Sequence, residues 1–390
     1  MKNIVIKGGN PVLTDRVADN TDILIENGKI KAIGKDLSGE TEIDAKGCYI
    51  LPGFVDVHVH GGGGADFMDA TPEAFDTAIS AHLKHGTTTI VPTAMSATEE
   101  DLTDFLNCFK AFKAQSRFSD IAPGVHLEGP YFSGATAKSG GAQPRSLLRK
   151  PDIDEISRLL KIADGAILRW DAAPELEDTD KFAEIMRKNG IVPAMAHSNA
   201  DSVLAQKGID NGFSHVTHFY NAVTTYHKVD QTPRAGLVEA VYLNPSVTVE
   251  LICDGKHIPR DIVRLALMIK GADKVSAITD GMRIAGTNMK SGKLGSIKNG
   301  TDVIVDDDVA KLTDLSSFAG SIATMDRCFK VLCRDYGIDI VTAAKMLSTT
   351  PAKHINASGI GEIKEGYNAD LVIASSDYSL KKVIKHGVEV

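Results

Sequence analysis

Apolar runs of five to eight residues recur along the middle of the chain, separated by stretches whose apolar positions have helical spacing. The runs cover 54–60, 87–92, 121–127, 165–172, 190–196, 213–218, 247–253 and 274–279, eight in all. Between them lie candidate helices such as 72–85, 151–163, 180–189 and 259–270. Thr71-Pro72 is a cap followed by a first-turn proline, and Gly86 closes the same helix. Buried strands alternating with helices predict an α/β chain, and eight of them predict a (β/α)8 TIM-like barrel. A doubly wound open sheet is the alternative for the same rhythm. The two ends read differently. Short strands at 22–26 and 29–33 flank Asn27-Gly28, a hairpin signal, and 369–373 and 382–385 are again short strands, with His386-Gly387 at a turn. The expectation is a small β-sandwich domain built from residues 1–50 and 355–390, around a barrel of residues 51–354.

Composition narrows the class. Of 390 residues, 43% are hydrophobic and 24% charged, ordinary globular values that exclude a disordered chain, a collagen-like chain and a coiled coil. With 43 Lys and Arg against 51 Asp and Glu, the net charge of −8 argues against a nucleic-acid partner. The first apolar run, Ile4-Val5-Ile6, is too short for a signal peptide, and no run approaches the ~18 residues of a membrane span. Five cysteines (48, 108, 253, 328 and 333) form no CxxC pair and read as reduced thiols. The expectation is a cytoplasmic protein with no membrane partner.

The candidate chemistry sits where the runs end. His58 and His60 close the first run, Glu128 the third, His197 the fifth, His218 the sixth and Asp280 the eighth. In a barrel these positions share one mouth, where active sites lie. Side chains alternate along a strand, so His58 and His60 share a face and can hold one ion. Four imidazoles and a carboxylate without thiolate suit Zn, or Fe, Mn or Co. Other histidines read as structural. His82 and His85 end a helix, where a cation is favourable; His126 and His215 read as core or as supports of the ligands, and His227, His354 and His386 as surface or loop residues. Gly61-Gly62-Gly63-Gly64 lacks a following Gly-Lys-Ser/Thr, so it reads as a loop of close backbone approach and less well as a phosphate cradle.

Leu51-Pro52-Gly53-Phe54-Val55-Asp56-Val57-His58-Val59-His60-Gly61 resembles the opening of the amidohydrolase superfamily. His126-Leu127-Glu128-Gly129-Pro130-Tyr131-Phe132 is narrower. With Ala196-His197-Ser198-Asn199-Ala200, Thr217-His218-Phe219-Tyr220-Asn221-Ala222, Asp254-Gly255-Lys256-His257 and Thr279-Asp280, it resembles the N-acetylglucosamine-6-phosphate deacetylase family. The likeness extends nearly along the whole chain, to Gly366-Tyr367-Asn368-Ala369-Asp370-Leu371-Val372. It implies metal-dependent hydrolysis of the N-acetyl amide of a sugar-phosphate substrate, giving glucosamine 6-phosphate and acetate. Glu128, His197 and His218 are then the main metal site, His58 and His60 a second one, and Glu128 the bridge, with one or two divalent transition metals per chain. Asp280 is implied as the acid/base, and Asn221, Ala222, Arg234 and His257 as substrate contacts, some of them across a homodimer interface. Phe318-Ala319-Gly320 matches a loop that closes on the sugar.

The sequence also departs from that family. The loop after the glutamate, which in relatives often ends in His, here reads Gly141-Ala142-Gln143; Gln143 can donate a hydrogen bond to an oxyanion but cannot become a cation. Asp280-Gly281-Met282-Arg283-Ile284-Ala285-Gly286 carries Arg283, which the sequence reads as an added charge near the mouth. These departures leave room for another substrate, such as N-acetylgalactosamine 6-phosphate or a cyclic amide. A non-catalytic scaffold of the same fold is the alternative from a different class.

Overall fold

The computed structural model describes residues 3–134 and 136–390. Eight parallel strands follow one another in sequence order: β1 (Phe54–Val59), β2 (Thr87–Ala94), β3 (Val125–Tyr131), β4 (Ile167–Ala172), β5 (Val192–Met195), β6 (His215–Val216), β7 (Thr248–Ile252) and β8 (Val275–Ile278). Their sequences are rich in Val, Ile and Thr and buried on both faces, as a sheet covered by helices requires. β1 and β8 are sewn together by particular groups. Val59 bridges Gly281, the Asp280 amide donates to the His58 carbonyl at 3.0 Å and the His60 amide to Gly281 at 2.8 Å. Lower down, the Asp56 carboxylate accepts from the Thr279 hydroxyl at 2.5 Å and from the Thr279 amide at 3.3 Å. The sheet is thus a barrel rather than an open doubly wound layer.

The eight strands stand where the apolar runs place them, with one shift. β3 begins at Val125, four residues after the start of the expected 121–127 run, because Pro123-Gly124 interrupts it. Ile121 instead accepts the Ile90 amide from outside the strand. Helices cover the barrel, among them Pro72–Lys84, Ile153–Ala163, Thr179–Lys188 and Arg260–Lys270. Thr71 caps the first of these through the Ala74 amide at 3.2 Å. A cluster of Phe67, Phe75, Phe105, Phe109 and Phe112 fills the space between that helix, its successor Glu99–Gln115 and the sheet.

Both chain ends join one further sheet system. Strand Ile4–Pro11 pairs with Thr21–Glu26 and Thr41–Asp44 through its first half and with Tyr49–Pro52 through its end, which in turn pairs with Leu371–Ala374. An isoleucine-rich core, Ile6, Ile23, Ile25, Ile50, Ile373 and Ile384 among others, lies between the two halves of this small β-sandwich. Asn27 and Gly28 both have positive φ, 51° and 76°, the two-residue turn the sequence predicts. A three-stranded meander, Ser291–Leu294, Thr301–Asp306 and Val309–Leu312, follows β8. The sequence reading passed over it; Asp307-Asp308 is only a weak turn signal, aspartate tolerating the left-handed region, and both aspartates take positive φ there.

The glycine run forms a small hairpin at the mouth, and its amides are already used. Gly61 donates to Gly281, Gly63 to Ala285 and Gly64 to Arg283, all at 3.0 Å or less. A Cβ on Gly61 would meet the Ala65 carbonyl at 2.3 Å. The run is therefore a close-approach loop and no phosphate cradle. His82, expected as a helix-end cation, is instead buried. Its Nε2–H donates to the Gly61 carbonyl at 2.8 Å, and burial pushes the imidazole down to about 4 from 6.5. A histidine kept neutral in the fold and protonated more readily when unfolded makes stability fall as pH drops from 6.5 towards 4. His82→Gln keeps a donor but does not titrate. Between pH 7 and pH 5 the wild-type chain should lose about 2 kcal/mol more stability than His82→Gln, read from urea midpoints at the two pH values.

Candidate active site

The mouth at the C-terminal ends of the strands collects the expected ligands. His58 and His60 stand at the end of β1, Glu128 inside β3, and His197, His218 and Asp280 just beyond β5, β6 and β8. The last three have left-handed backbones, with φ of 44°, 32° and 49°. Such angles are uncommon outside glycine, although asparagine, aspartate and histidine adopt them more readily than other residues, and they recur at functional sites. Here they turn each side chain inward immediately after its strand ends.

Glu128 divides its two oxygens between two pairs of imidazoles. Oε1 lies 2.9 Å from His197 Nε2 and 3.0 Å from His218 Nε2. Oε2 lies 3.3 Å from His60 Nε2 and 3.9 Å from His58 Nε2. Asp280 Oδ1 faces the second pair at 3.2 Å and 3.4 Å. The far ring nitrogens show which tautomers are present. His60 Nδ1 meets the Thr93 carbonyl at 3.2 Å and His197 Nδ1 the Ser139 carbonyl at 2.9 Å, and a carbonyl can only accept. Both rings therefore carry hydrogen on Nδ1, which leaves Nε2 facing Glu128 with either a lone pair for a metal or a second proton. His58 Nδ1 faces the Glu250 carboxylate at 3.3 Å. His197 and His218 approach to 3.1 Å through Nε2, and His58 and His60 to 3.3 Å. Lone pairs held this close to each other and to a carboxylate repel unless a cation lies between them. The donor set thus fits one metal at Glu128, His197 and His218 and another at His58, His60 and Glu128.

Protons are the other cation that answers this geometry. Burial alone would lower the His60 imidazole, yet hydrogen bonds to Asp280 and Glu128 hold it well above its usual range. Burial likewise opposes the charge on His218, but Glu128 raises it to about 9. Burial works against ionised Glu128 and Asp280 as well, and the surrounding imidazoles overcome it, so both carboxyls are pulled down.

Beneath the mouth lies a buried polar layer that sequence reasoning only touched. Arg169 NH1 bonds Glu250 Oε1, and its NH2 reaches His126 Nδ1 at 2.7 Å. His215 Nε2 also faces Glu250, at 3.3 Å, and His126 Nε2 lies 2.9 Å from the fully buried Asp171. His126 and His215 therefore support the ligands from below, one of the two expected roles. Arg169, Asp171 and Glu250 went unnoticed, although a charge inside an apolar run, as in Leu168-Arg169-Trp170-Asp171 and Val249-Glu250-Leu251, was the available signal. His354, expected at the surface, is half-buried, and its Nδ1 bonds the Ser276 hydroxyl at 2.9 Å.

A cleft of about 190 Å³ opens above the ligands. Gly141, Ala142, Gln143, Asn221, Ala222, His257, Phe318 and Gly320 line it, together with Met95 and Leu294, which the sequence did not suggest. Gln143 is fixed at both ends: Oε1 accepts the Ser96 amide and Nε2 donates to Glu128 Oε2, each at 2.9 Å. His257 is oriented by Asp254 at 2.8 Å and packs edge-on against Phe318. Ala319 is buried and does not reach the cleft. Arg234 lies outside it, exposed on the hairpin His227–Val229 and Thr232–Arg234. Arg283 corrects its reading as a free charge near the mouth. It is buried, paired with both Asp69 oxygens at 2.8 Å, and its other N–H groups go to the carbonyls of Gly64, Lys293 and Gly295.

A closed parallel barrel with two imidazole pairs around one carboxylate at its mouth is the architecture of a metal-dependent hydrolase. The amidohydrolase family profile matches residues 49–390, and the chain belongs to that family. A relative from Lysinibacillus sphaericus, named N-acetylglucosamine-6-phosphate deacetylase, is 30% identical over 95% of this chain and 93% of its own length. A Bacillus subtilis protein of the same name is 30% identical over 99% of this chain and 96% of its own length. Among solved structures, a mutant N-acetyl-D-glucosamine-6-phosphate deacetylase from Mycobacterium smegmatis, in complex with N-acetyl-D-glucosamine-6-phosphate, superimposes with a TM-score of 0.91. It is 27% identical and covers 100% of this chain and 99% of its own.

Proposed function

We propose that the chain hydrolyses the N-acetyl amide of N-acetylglucosamine 6-phosphate, giving glucosamine 6-phosphate and acetate. The observation that carries this reading is the Glu128 carboxylate with one oxygen against each imidazole pair and Asp280 beside it. The names of the relatives supply the substrate. Glu128, His197 and His218, and His58 and His60 beside Glu128, would hold divalent metal, which would supply Lewis acidity and lower the pKa of bound water towards neutrality. Zinc is the metal that this donor set suits first.

The chain's own residues account for the rest. Asp280 is kept ionised by the positive charge beside it, which protons on His58 and His60 supply and a metal held there would supply as well. It takes the proton released as water attacks the amide carbon, then returns it to the departing nitrogen. Gln143 has a second amide hydrogen beyond the one on Glu128, and this serves the developing oxyanion. Asn221, Ala222, His257, Phe318 and Gly320 receive the sugar. Arg234 does not line its own cleft, so we assign it to the phosphate bound by a second copy. Tyr226 and Val229, exposed apolar residues of the same hairpin region, support a homodimer face there. We assign the protein to the cytoplasm, a reading with which its free cysteines agree.

The substrate is tested by incubating the enzyme with N-acetylglucosamine 6-phosphate, its galacto epimer and plain N-acetylglucosamine, and measuring free amine; the first should be turned over fastest. Elemental analysis should find metal in the purified enzyme, with about half of it lost in His58→Ala and more in His197→Ala. Asp280→Asn should keep its metal while kcat falls by about 10²–10⁴-fold, the range of general acid–base catalysis. Near-normal turnover would place the base elsewhere. Arg234→Ala should lose about 1.5–3 kcal/mol of phosphate binding, seen as a raised KM for the 6-phosphate and an unchanged rate with the plain sugar.

A further inference from the structure

We infer that the side of the cleft nearest β2 is an acyl pocket whose depth is set by Met95 and Leu294, and that Arg283 holds its wall in place. The inference rests on the deacetylase reading above and goes on to say which acyl groups the enzyme accepts. Met95 directly follows β2, and Leu294 ends the first strand of the meander; both are buried and both line the cleft. The next residue, Gly295, packs so closely on Met95 that a Cβ there would lie 2.8 Å from the sulfur, and its φ is +81°. A side chain at 295 would push the meander off Met95, so the glycine keeps the wall thin and tight.

Leu294 itself is clamped. Arg283 donates from Nε to the Lys293 carbonyl at 3.3 Å and from NH2 to the Gly295 carbonyl at 2.9 Å, one peptide group on each side of Leu294. Asp69 fixes the guanidinium with both oxygens, and Asp66 accepts the Gly295 amide at 3.1 Å. The charge that looked free in the sequence is a brace that sets how far Leu294 reaches into the cleft.

The two sides of the cleft differ in chemistry. In a closed ring of eight strands β2 stands across from β6. The β6 and β7 side offers Asn221, the Ala222 backbone and His257, groups that can meet hydroxyls and a phosphate. The β2 side offers a thioether and an isobutyl group. An amide cleaved at the ligands must straddle them, with the amine substituent on one side and the acyl substituent on the other. The sugar phosphate takes the polar side, which leaves the acyl carbon chain against Met95 and Leu294. Gln143 stands at the boundary: its oxygen is held by the amide of Ser96, the residue after Met95, so the wall and the carbonyl donor are positioned together.

The test compares N-acetyl-, N-propionyl- and N-butyryl-glucosamine 6-phosphate with the metal-loaded wild type, Leu294→Ala and Met95→Ala. The wild type should prefer acetyl. Each truncation should raise the propionyl-to-acetyl ratio of kcat/KM by about 10–200-fold, the discrimination an apolar pocket gains from one methylene. Arg283→Lys, which keeps the charge and loses the fork, should move the ratio in the same direction by less. An unchanged ratio in both truncated variants, whatever their absolute rates, overturns the pocket, and an unchanged ratio in Arg283→Lys alone overturns the brace. A wild type that releases no acetate from the 6-phosphate overturns the deacetylase reading itself, before any variant is compared.

Discussion

A carboxylate at the buried end of a barrel stays charged only if positive groups surround it, and Glu128 is the group about which this mouth is arranged. Burying an ion costs several kcal/mol unless partners and hydrogen bonds repay it. Glu128 meets that demand by giving one oxygen to His197 and His218 and the other to His58 and His60. An imidazole brings positive charge to that position either by holding a metal on an inward lone pair or by carrying a second proton, and in both cases its outward N–H needs an acceptor. Thr93, Ser139 and Glu250 provide these. Glu250 is itself a buried carboxylate and recruits Arg169 and His215. One charge at the mouth thus propagates a polar layer down into the barrel, and the large aromatic core lies outside the strands, between sheet and helices.

The same demand explains the strained backbone. Strands leave the sheet pointing along the barrel axis, whereas the ligands must converge on it. His197, His218 and Asp280 make that turn within a single residue by adopting positive φ. A left-handed bend at a non-glycine residue costs of order 1–3 kcal/mol. It persists because the neighbouring amides are committed: Asp280 N to His58, Ser321 N to Asp280 and Phe219 N to Glu250. The closure of β1 on β8 and the aiming of Asp280 are therefore one set of hydrogen bonds.

The sequence carried the parts that depend on periodicity. Eight apolar runs mark eight strands, because a sheet buried on both faces is mostly apolar along its length, and the ligands stand out as the polar residues that end those runs. It hid what depends on three-dimensional pairing. Pro123-Gly124 moves β3 along by four residues, a break that an apolar count across 121–127 smooths over. The 291–312 meander lies on the surface and has only weak alternation to announce it. His82 looked like a helix-end cation until the Gly61 carbonyl and the loss of solvent made it a neutral donor. Arg169 and Glu250 lie within apolar runs 81 positions apart, and nothing local says that they meet.

Arg283 shows why a charge in a sequence is better read as an inventory of donors than as a field. A guanidinium has five N–H groups in a rigid fork. Here they reach Asp69 twice and three main-chain carbonyls, of Gly64, Lys293 and Gly295. The carboxylate pairs with the charge inside the protein. What remains is geometry: the glycine hairpin, the 3-10 turn that carries Asp69 and the meander are fastened to one planar group. Lysine at the same position would balance Asp69 equally well, yet its three donors on a flexible stem cannot brace both sides of Leu294 and the hairpin together. The departure from the family motif at this position is thus tied to the meander above it, and the two together shape the cleft wall that neither would shape alone.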